Sequence, residues 1–173
     1  MNRILGTALA AFVVSGCAGF QPAPSATAQL APTNGNTATG LVTFKKIAGG
    51  VLVSGYVQGL APNTEHGFHI HEKGDCSSGD GMSTGGHFNP DGKRHGALNE
   101  NEHHAGDLQS LKSDVHGVAK FSYESLTLSV GDSMTDVVGH GLIVHRDPDD
   151  FKTQPTGNSG PRIACAAIIK GQS

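Results

Sequence analysis

Between Phe68 and His145 the chain carries His69-Ile70-His71, then His87, His95, His104-Ala105-Gly106-Asp107, and finally His145. Six imidazoles and one carboxylate suit a borderline transition metal, because calcium and magnesium are bound by oxygen ligands. Imidazole alone leaves zinc, copper, iron and nickel open. On a strand alternate side chains share a face, so His69 and His71 point the same way, about 7 Å apart along the chain, and can converge on one ion. With His87 and His145 they make four nitrogens, the tetragonal set read as Cu(II). His87, His95, His104 and Asp107 make a closed tetrahedral set of the zinc kind. His87 belongs to both.

The two sets need different support. His69, His71 and His145 lie in apolar, strand-like segments, HGFHIHE and GLIVHR, so a rigid scaffold would hold them. His95, His104 and Asp107 lie in a glycine-rich polar stretch whose backbone a metal could organise. Elsewhere TGLVTFKKI and GVLVSGYVQGL alternate around Gly49-Gly50, which predicts a hairpin. EHGFHIHE predicts a third strand, VAKFSYESLTL one or two, VVGHGLIVHR another and RIACAAIIK the last. With 25 glycines and no tryptophan, short strands and turns are favoured over long helices. The pattern alone gives an all-β fold, an antiparallel sandwich or closed barrel. Two long connections, 73–111 and 146–161, interrupt it, and unstructured loops of such length in a small domain are functional or disordered.

The 173 residues suffice for one domain with a proper core and are short for two. Residues 1–16, MNRILGTALAAFVVSG, have a basic start and a short apolar run, which predicts an export signal too short to span a membrane. Val14-Ser15-Gly16-Cys17 resembles the bacterial lipobox, so cleavage before Cys17 and lipidation of that residue are expected. The alternative is an ordinary signal cleaved near Ala28. Residues 17–38 shift to Ala, Pro, Thr, Gln and Asn without hydrophobic period, which predicts a flexible tether and leaves 39–173 as the folded domain. Three cysteines are an odd number for an exported chain, and lipid on Cys17 would account for one of them. The expected location is the bacterial cell envelope, as a periplasmic lipoprotein. Ala18, in place of Asp after the lipidated residue, favours the outer membrane by resemblance to bacterial sorting.

Five blocks, GFHIHEKGDC at 67–76, GGHFNPDGKRHG at 85–96, HAGDL at 104–108, GLIVHRDPDD at 141–150 and GNSGPRIAC at 157–165, resemble the copper/zinc superoxide dismutases in their bacterial exported branch. A lone His-x-His would not be specific; all five in order are. The resemblance implies a Greek-key β-barrel or sandwich with two long functional loops, a zinc and disulfide loop and an electrostatic loop. It implies one copper per subunit on His69, His71, His87 and His145, one zinc on His87, His95, His104 and Asp107, and His87 as the bridge. The family's His-x-Gly-Asp spacing selects His104 over His103. It further implies catalytic Arg162 beside the open copper position and Thr156 on the opposite wall of the channel. Asp149 matches the carboxylate that hydrogen-bonds the far nitrogens of His69 and His95, and Cys76 pairs with Cys165. Closing a loop of that length stabilises a fold by roughly 4 to 5 kcal/mol in the chain-entropy model.

The reaction so implied is disproportionation of superoxide to dioxygen and hydrogen peroxide. The chain has 12 basic and 15 acidic residues, and removal of Arg3 with the signal makes it more acidic, so an anionic substrate must be drawn by local focusing. The electrostatic loop, FKTQPTGNSGP, departs from the eukaryotic branch in lacking its paired glutamates; Lys73, Lys93, Arg94 and Lys152 are candidate guides. No basic stripe or aromatic ladder points to nucleic acid. His66 is expected to make a structural hydrogen bond beneath the site, and His103, His116 and His140 to be solvated or packing residues. Two rivals are a metal buffer on the same fold, which needs neither Arg162 nor a bridge, and a zinc hydrolase, which needs an open zinc position and offers only Glu72 as a nearby acid. A homodimer and a monomer both remain open.

Overall fold

The computed structural model describes residues 23–131 and 133–171, so the expected signal and Cys17 lie outside the described residues. The strands are β1 (Ser25–Pro32), β2 (Thr39–Ile47), β3 (Gly50–Gln58), β4 (Glu65–His66), β5 (Phe68–His71), β6 (Leu111–Lys112), β7 (Ala119–Ser125), β8 (Gly141–His145), β9 (Arg162–Ala167) and β10 (Ile169–Lys170). One 3-10 turn, Met82–Thr84, lies in the first long loop. A curled sheet runs β5-β8-β9-β1-β2-β3-β7, with β10 also on β1, and β4 pairs with β6 apart from it. All these pairings are antiparallel. β3 beside β7 and β9 beside β1 are not sequence neighbours, so the chain returns over long connections in the Greek-key manner. Among the described residues no helix is long and apolar enough to cross a membrane.

The hairpin around Gly49-Gly50 forms as expected, with Ile47 opposite Gly50. The tether expected over 17–38 needs correction: Ser25–Pro32 is a strand of the main sheet, paired with β2, β9 and β10. Its inward residues, Ala26, Ala28 and Leu30, are fully buried. Period-two burial of small residues is hard to distinguish from low complexity, because alanine carries little hydrophobic contrast. Two single strands also divide. EHGFHIHE breaks at Gly67, whose N–H donates to the Asp147 carbonyl, so β4 and β5 face different partners. RIACAAIIK breaks at buried Ile168, which exchanges backbone bonds with Gly139 and His140.

The core is built from alternate positions: Val42 and Phe44 on β2, Val51, Val53 and Val57 on β3, Phe68 and Ile70 on β5, Leu142 and Val144 on β8. Phe68 meets Phe121 edge to face, with ring centroids 5.5 Å apart. Strands β5 and β8 are buried on both faces. One face of β5 enters the core, and the other carries His69 and His71 outward under the two long loops. The first of these loops pairs with this strand: Ile70 N–H donates to the Gly106 carbonyl, Phe88 N–H to the Ile70 carbonyl and Glu72 N–H to the Gly86 carbonyl. At the far end of β8 the register with β9 slips, so Val144 faces Ala164 while His145 faces Arg162. A bulge re-aims side chains. Here it sets His145 and Arg162 side by side.

Candidate metal centre

The structure brings together both expected sets. One donor atom each from His69, His71, His87 and His145 lie within 4.8 Å of one another, and so do those from His87, His95, His104 and Asp107; all seven residues are buried. In the second set Asp107 Oδ1 stands 2.9, 3.0 and 3.3 Å from the Nδ1 atoms of His87, His95 and His104. A tetrahedron with bonds of 2.0–2.1 Å has edges of about 3.3 Å, so four donors at these spacings fit zinc. The other carboxylate oxygen is occupied: Asp107 Oδ2 accepts the backbone N–H groups of His104 and Gly96, at 2.8 and 3.1 Å.

The first set shows the same fit through tautomers. His71 donates Nδ1–H to the Gly85 carbonyl at 2.9 Å and His145 donates Nδ1–H to the Gly160 carbonyl at 3.0 Å. His69 donates Nε2–H to Asp149 Oδ2 at 2.7 Å. Each ring thereby keeps one bare nitrogen, and His69 Nδ1, His71 Nε2, His87 Nε2 and His145 Nε2 are buried without a hydrogen-bond partner. Orphaned buried nitrogens are costly unless a cation takes them. Four converging imidazole nitrogens are what copper accepts.

Electrostatics agree. Burial, reinforced by His87 and Arg162, holds His71 well below the ordinary range, and burial with His69 does the same to His145. Burial lowers His69 against the pull of Asp149. Burial and the neighbouring His69 push His87 down to about 4, so it stays neutral. His95 moves oppositely: burial disfavours its charge, but Asp107 and Asp149 outweigh it and raise the ring to about 9. His95 Nε2 donates to Asp149, while its Nδ1, 3.0 Å from Asp107 Oδ1, makes no hydrogen bond; a metal ion, or in its absence the ring's second proton, resolves the contact. Asp107 and Asp149 lie well below the carboxylate range, since hydrogen bonds from the rings overcome their burial.

Asp149 links the sets. Its Oδ2 takes His69 Nε2–H, and its Oδ1 takes His95 Nε2–H at 2.9 Å and the Phe151 N–H at 2.7 Å. Gly157, at φ 65°, passes so close that a Cβ there would overlap Asp149 Oδ1 and come 2.5 Å from His95 Nε2. Arg162 is half-buried and held by three bonds to the loop carrying Gly81–Gly85. That loop is fastened to β9 by the Cys76–Cys165 disulfide, whose Cα atoms are 6.0 Å apart. His66 donates Nδ1–H to the His145 carbonyl at 2.9 Å, as expected of a structural residue. His103 is buried with Nδ1 bonded to the His104 carbonyl, His140 stacks on Phe88 at 3.8 Å, and His116 is exposed. Thr156 is half-buried in the electrostatic loop, where its carbonyl accepts Ser159 Oγ–H.

Two supporting residues escape a reading of the sequence. Gln154 pairs with both backbone groups of His95, accepting its N–H and donating to its carbonyl, each at 2.9 Å. Thr84 bonds Arg162. Neither residue type announces such a role at its position. A groove of about 600 Å³, lined in part by Leu98, Leu108, Leu126 and Phe151, does not include the donor cluster.

A sequence model described as copper/zinc superoxide dismutase (SODC) matches residues 38–168. Superoxide dismutase (Cu-Zn) 2 of Aquifex aeolicus is 38% identical over 172 residues, covering 97% of this chain and 99% of that protein. The Cu-Zn superoxide dismutase of Saccharomyces cerevisiae is 41% identical over 139 residues, covering 75% of this chain and 88% of that protein. A crystal structure of a double mutant of a SOD-like protein from Bacillus subtilis superimposes with a TM-score of 0.76 at 36% identity, over 83% of this chain and 96% of that chain. The chain belongs to the copper/zinc superoxide dismutase family. As a member it is an enzyme of superoxide dismutation, and copper and zinc are its cofactors.

Proposed function

We propose that His69, His71, His87 and His145 hold copper, that His87, His95, His104 and Asp107 hold zinc, one ion of each per subunit, and that the enzyme removes superoxide in the bacterial cell envelope. The observation that carries the assignment is the set of buried ring nitrogens left bare and turned toward one another. Copper, when bound, supplies one-electron exchange in both directions, so one superoxide is oxidised to dioxygen and a second is reduced to peroxide. The chain supplies the rest. His87 would offer Nδ1 to the zinc set and Nε2 to the copper set; its weak basicity keeps it from carrying a second proton at neutral pH, and serving both sets at once would further require it to give up its remaining N–H proton to solvent as the metals bind. Its Nε2 is also the atom on which a proton for the product can be held without access from bulk water. Arg162 keeps its charge near neutral pH, and its three bonds turn it into a fixed cation at the mouth of the site. Thr156 forms the facing wall, and exposed Lys73, Arg94 and Lys152, with half-buried Lys93, guide the anion.

A held cation favours turnover over storage, since a metal buffer needs no oriented guanidinium. The test is a metal assay of the purified protein with superoxide turnover measured before and after copper loading. Turnover that rises with copper content supports the assignment; a fully loaded protein without turnover leaves the buffer. With Cys76 and Cys165 joined, Cys17 remains for lipid. Cys17→Ser should move the protein from the membrane pellet to the soluble fraction with its activity intact, and a mutant still in the pellet would remove the lipid anchor.

A further inference from the structure

A guanidinium has five N–H donors. In Arg162 three are committed: Nη1 donates to the Gly81 carbonyl at 2.6 Å and to Thr84 Oγ1 at 2.9 Å, and Nη2 donates to the Gly85 carbonyl at 2.8 Å. Two remain for an incoming anion. Two of the three contacts are carbonyls that any residue at those positions would supply. The third depends on one side chain.

Thr84 is fully buried. Its hydroxyl donates to the Gly81 carbonyl at 2.8 Å, which turns a lone pair toward Arg162. Its methyl group fills the space before Gly141, where a Cβ would come within 2.9 Å of Thr84 Cγ2, and its carbonyl accepts the Lys73 N–H at 2.9 Å. The residue is therefore wedged between the first residue of β8, the strand that carries His145, and the extension of β5, the strand that carries His69 and His71. Tethered at Cδ and held by two carbonyls, a planar group can still rock by bending those two hydrogen bonds. A third point fixes its plane.

We propose that Thr84 is a positioning residue for Arg162: its buried hydroxyl is the third point of a mount that fixes the guanidinium plane and aims the two free N–H donors at a small anion such as superoxide. The proposal rests on the reading that Arg162 draws the substrate to the copper set. It differs from a general packing role in one respect, because it needs the oxygen and not merely the volume.

Thr84→Val keeps the shape without the hydroxyl, Thr84→Ser keeps the hydroxyl without the methyl, and Thr84→Ala replaces the valine variant if that does not fold. In the metal-free protein the reaction of Arg162 with phenylglyoxal, followed by peptide mass spectrometry against exposed Arg146 as internal reference, should be several-fold faster in the valine variant and unchanged in the serine variant. In the metal-loaded protein the second-order rate at low ionic strength and the affinity for azide should both fall roughly three- to tenfold with valine, less than on removal of the cation, and recover with serine. Valine behaving as wild type in both assays would overturn the proposal. Serine failing as badly as valine would overturn it too, since packing would then suffice. A wild type that shows no turnover after copper loading would sink the reading of the site, while the phenylglyoxal contrast would still judge the mount.

Discussion

Asp149→Asn should weaken the copper set more than the zinc set, although the carboxylate touches one ring of each. In the native protein Oδ1 accepts two N–H groups, from His95 and Phe151, and Oδ2 accepts one, from His69. An amide keeps one oxygen and replaces the other with NH2. The oxygen settles where two donors meet, so the NH2 faces His69 Nε2–H. Two donors cannot face each other, and His69 answers by moving its proton to Nδ1. That is the atom it offers to the copper set. The loss is one hydrogen bond to a charged acceptor, about 1.5–3 kcal/mol, which at about 1.4 kcal/mol per decade is roughly 10- to 100-fold in copper affinity. His95 keeps its bond, weakened from charged to neutral, so zinc affinity should fall less than about tenfold. Competition against chelators of graded affinity, with each metal counted separately, measures both midpoints. Zinc lost while copper holds at the wild-type midpoint would refute the tautomer argument, and no change in either would show that Asp149 does not orient the rings.

Metal-free protein should lose stability on acidification from about pH 6.5 to about pH 4, because an unfolded histidine, with a pKa of about 6.5, takes up its proton before the buried ring does. For His87, held at about 4, the full effect is about 3 kcal/mol. His95 acts with the opposite sign: raised to about 9, its contribution is complete below about 6.5 and disappears as pH rises through 9. Denaturant titrations across this range check both limbs, and a flat profile from pH 4 to 7 would contradict the acid one. Gly157→Ala places a methyl group against Asp149 and His95, and retention of both metals in dialysis against a chelator should fall about 10- to 100-fold; wild-type retention would mean the loop has room to yield. The double variant Cys76→Ser, Cys165→Ser should lose about 4 to 5 kcal/mol in urea unfolding, and a loss under about 1 kcal/mol would show that the metals alone hold the loop.

The strands bearing His69, His71 and His145 were legible because their signals are local, whereas the choice of His104 over His103 in the zinc set came from resemblance to the family. A period of two places His69 and His71 on one face, and apolar flanks mark a strand. What was not legible depends on meetings of distant segments. β1 was missed because alanines at 26 and 28 read as linker until the partner strand shows which face is dry. The bulge that sets Arg162 beside His145 is a register slip that neither segment encodes alone. Gln154 reaches His95 across 59 residues of chain, and Thr84 reaches Arg162 across 78.

The arrangement also explains why the site sits outside the barrel core. Inside, the rings would displace the apolar packing of Phe44, Phe68 and Ile70 and leave their nitrogens without partners. On the outer face of β5 and β8 they are covered by loops rich in carbonyls and carboxylates, which fix each tautomer. The first loop is anchored in the core by Phe88, Ala105 and Leu108, and both loops are also held by what they cover: Asp107 and Asp149 by the rings, His95 by Gln154, and the Gly81–Gly85 segment by Arg162 and the disulfide. Ring orientation and loop closure are therefore one equilibrium. A substitution that frees either loop must loosen the metals, and removal of the metals must loosen both loops before it touches the sheet, because the sheet's own hydrogen bonds and core make no use of the donor nitrogens.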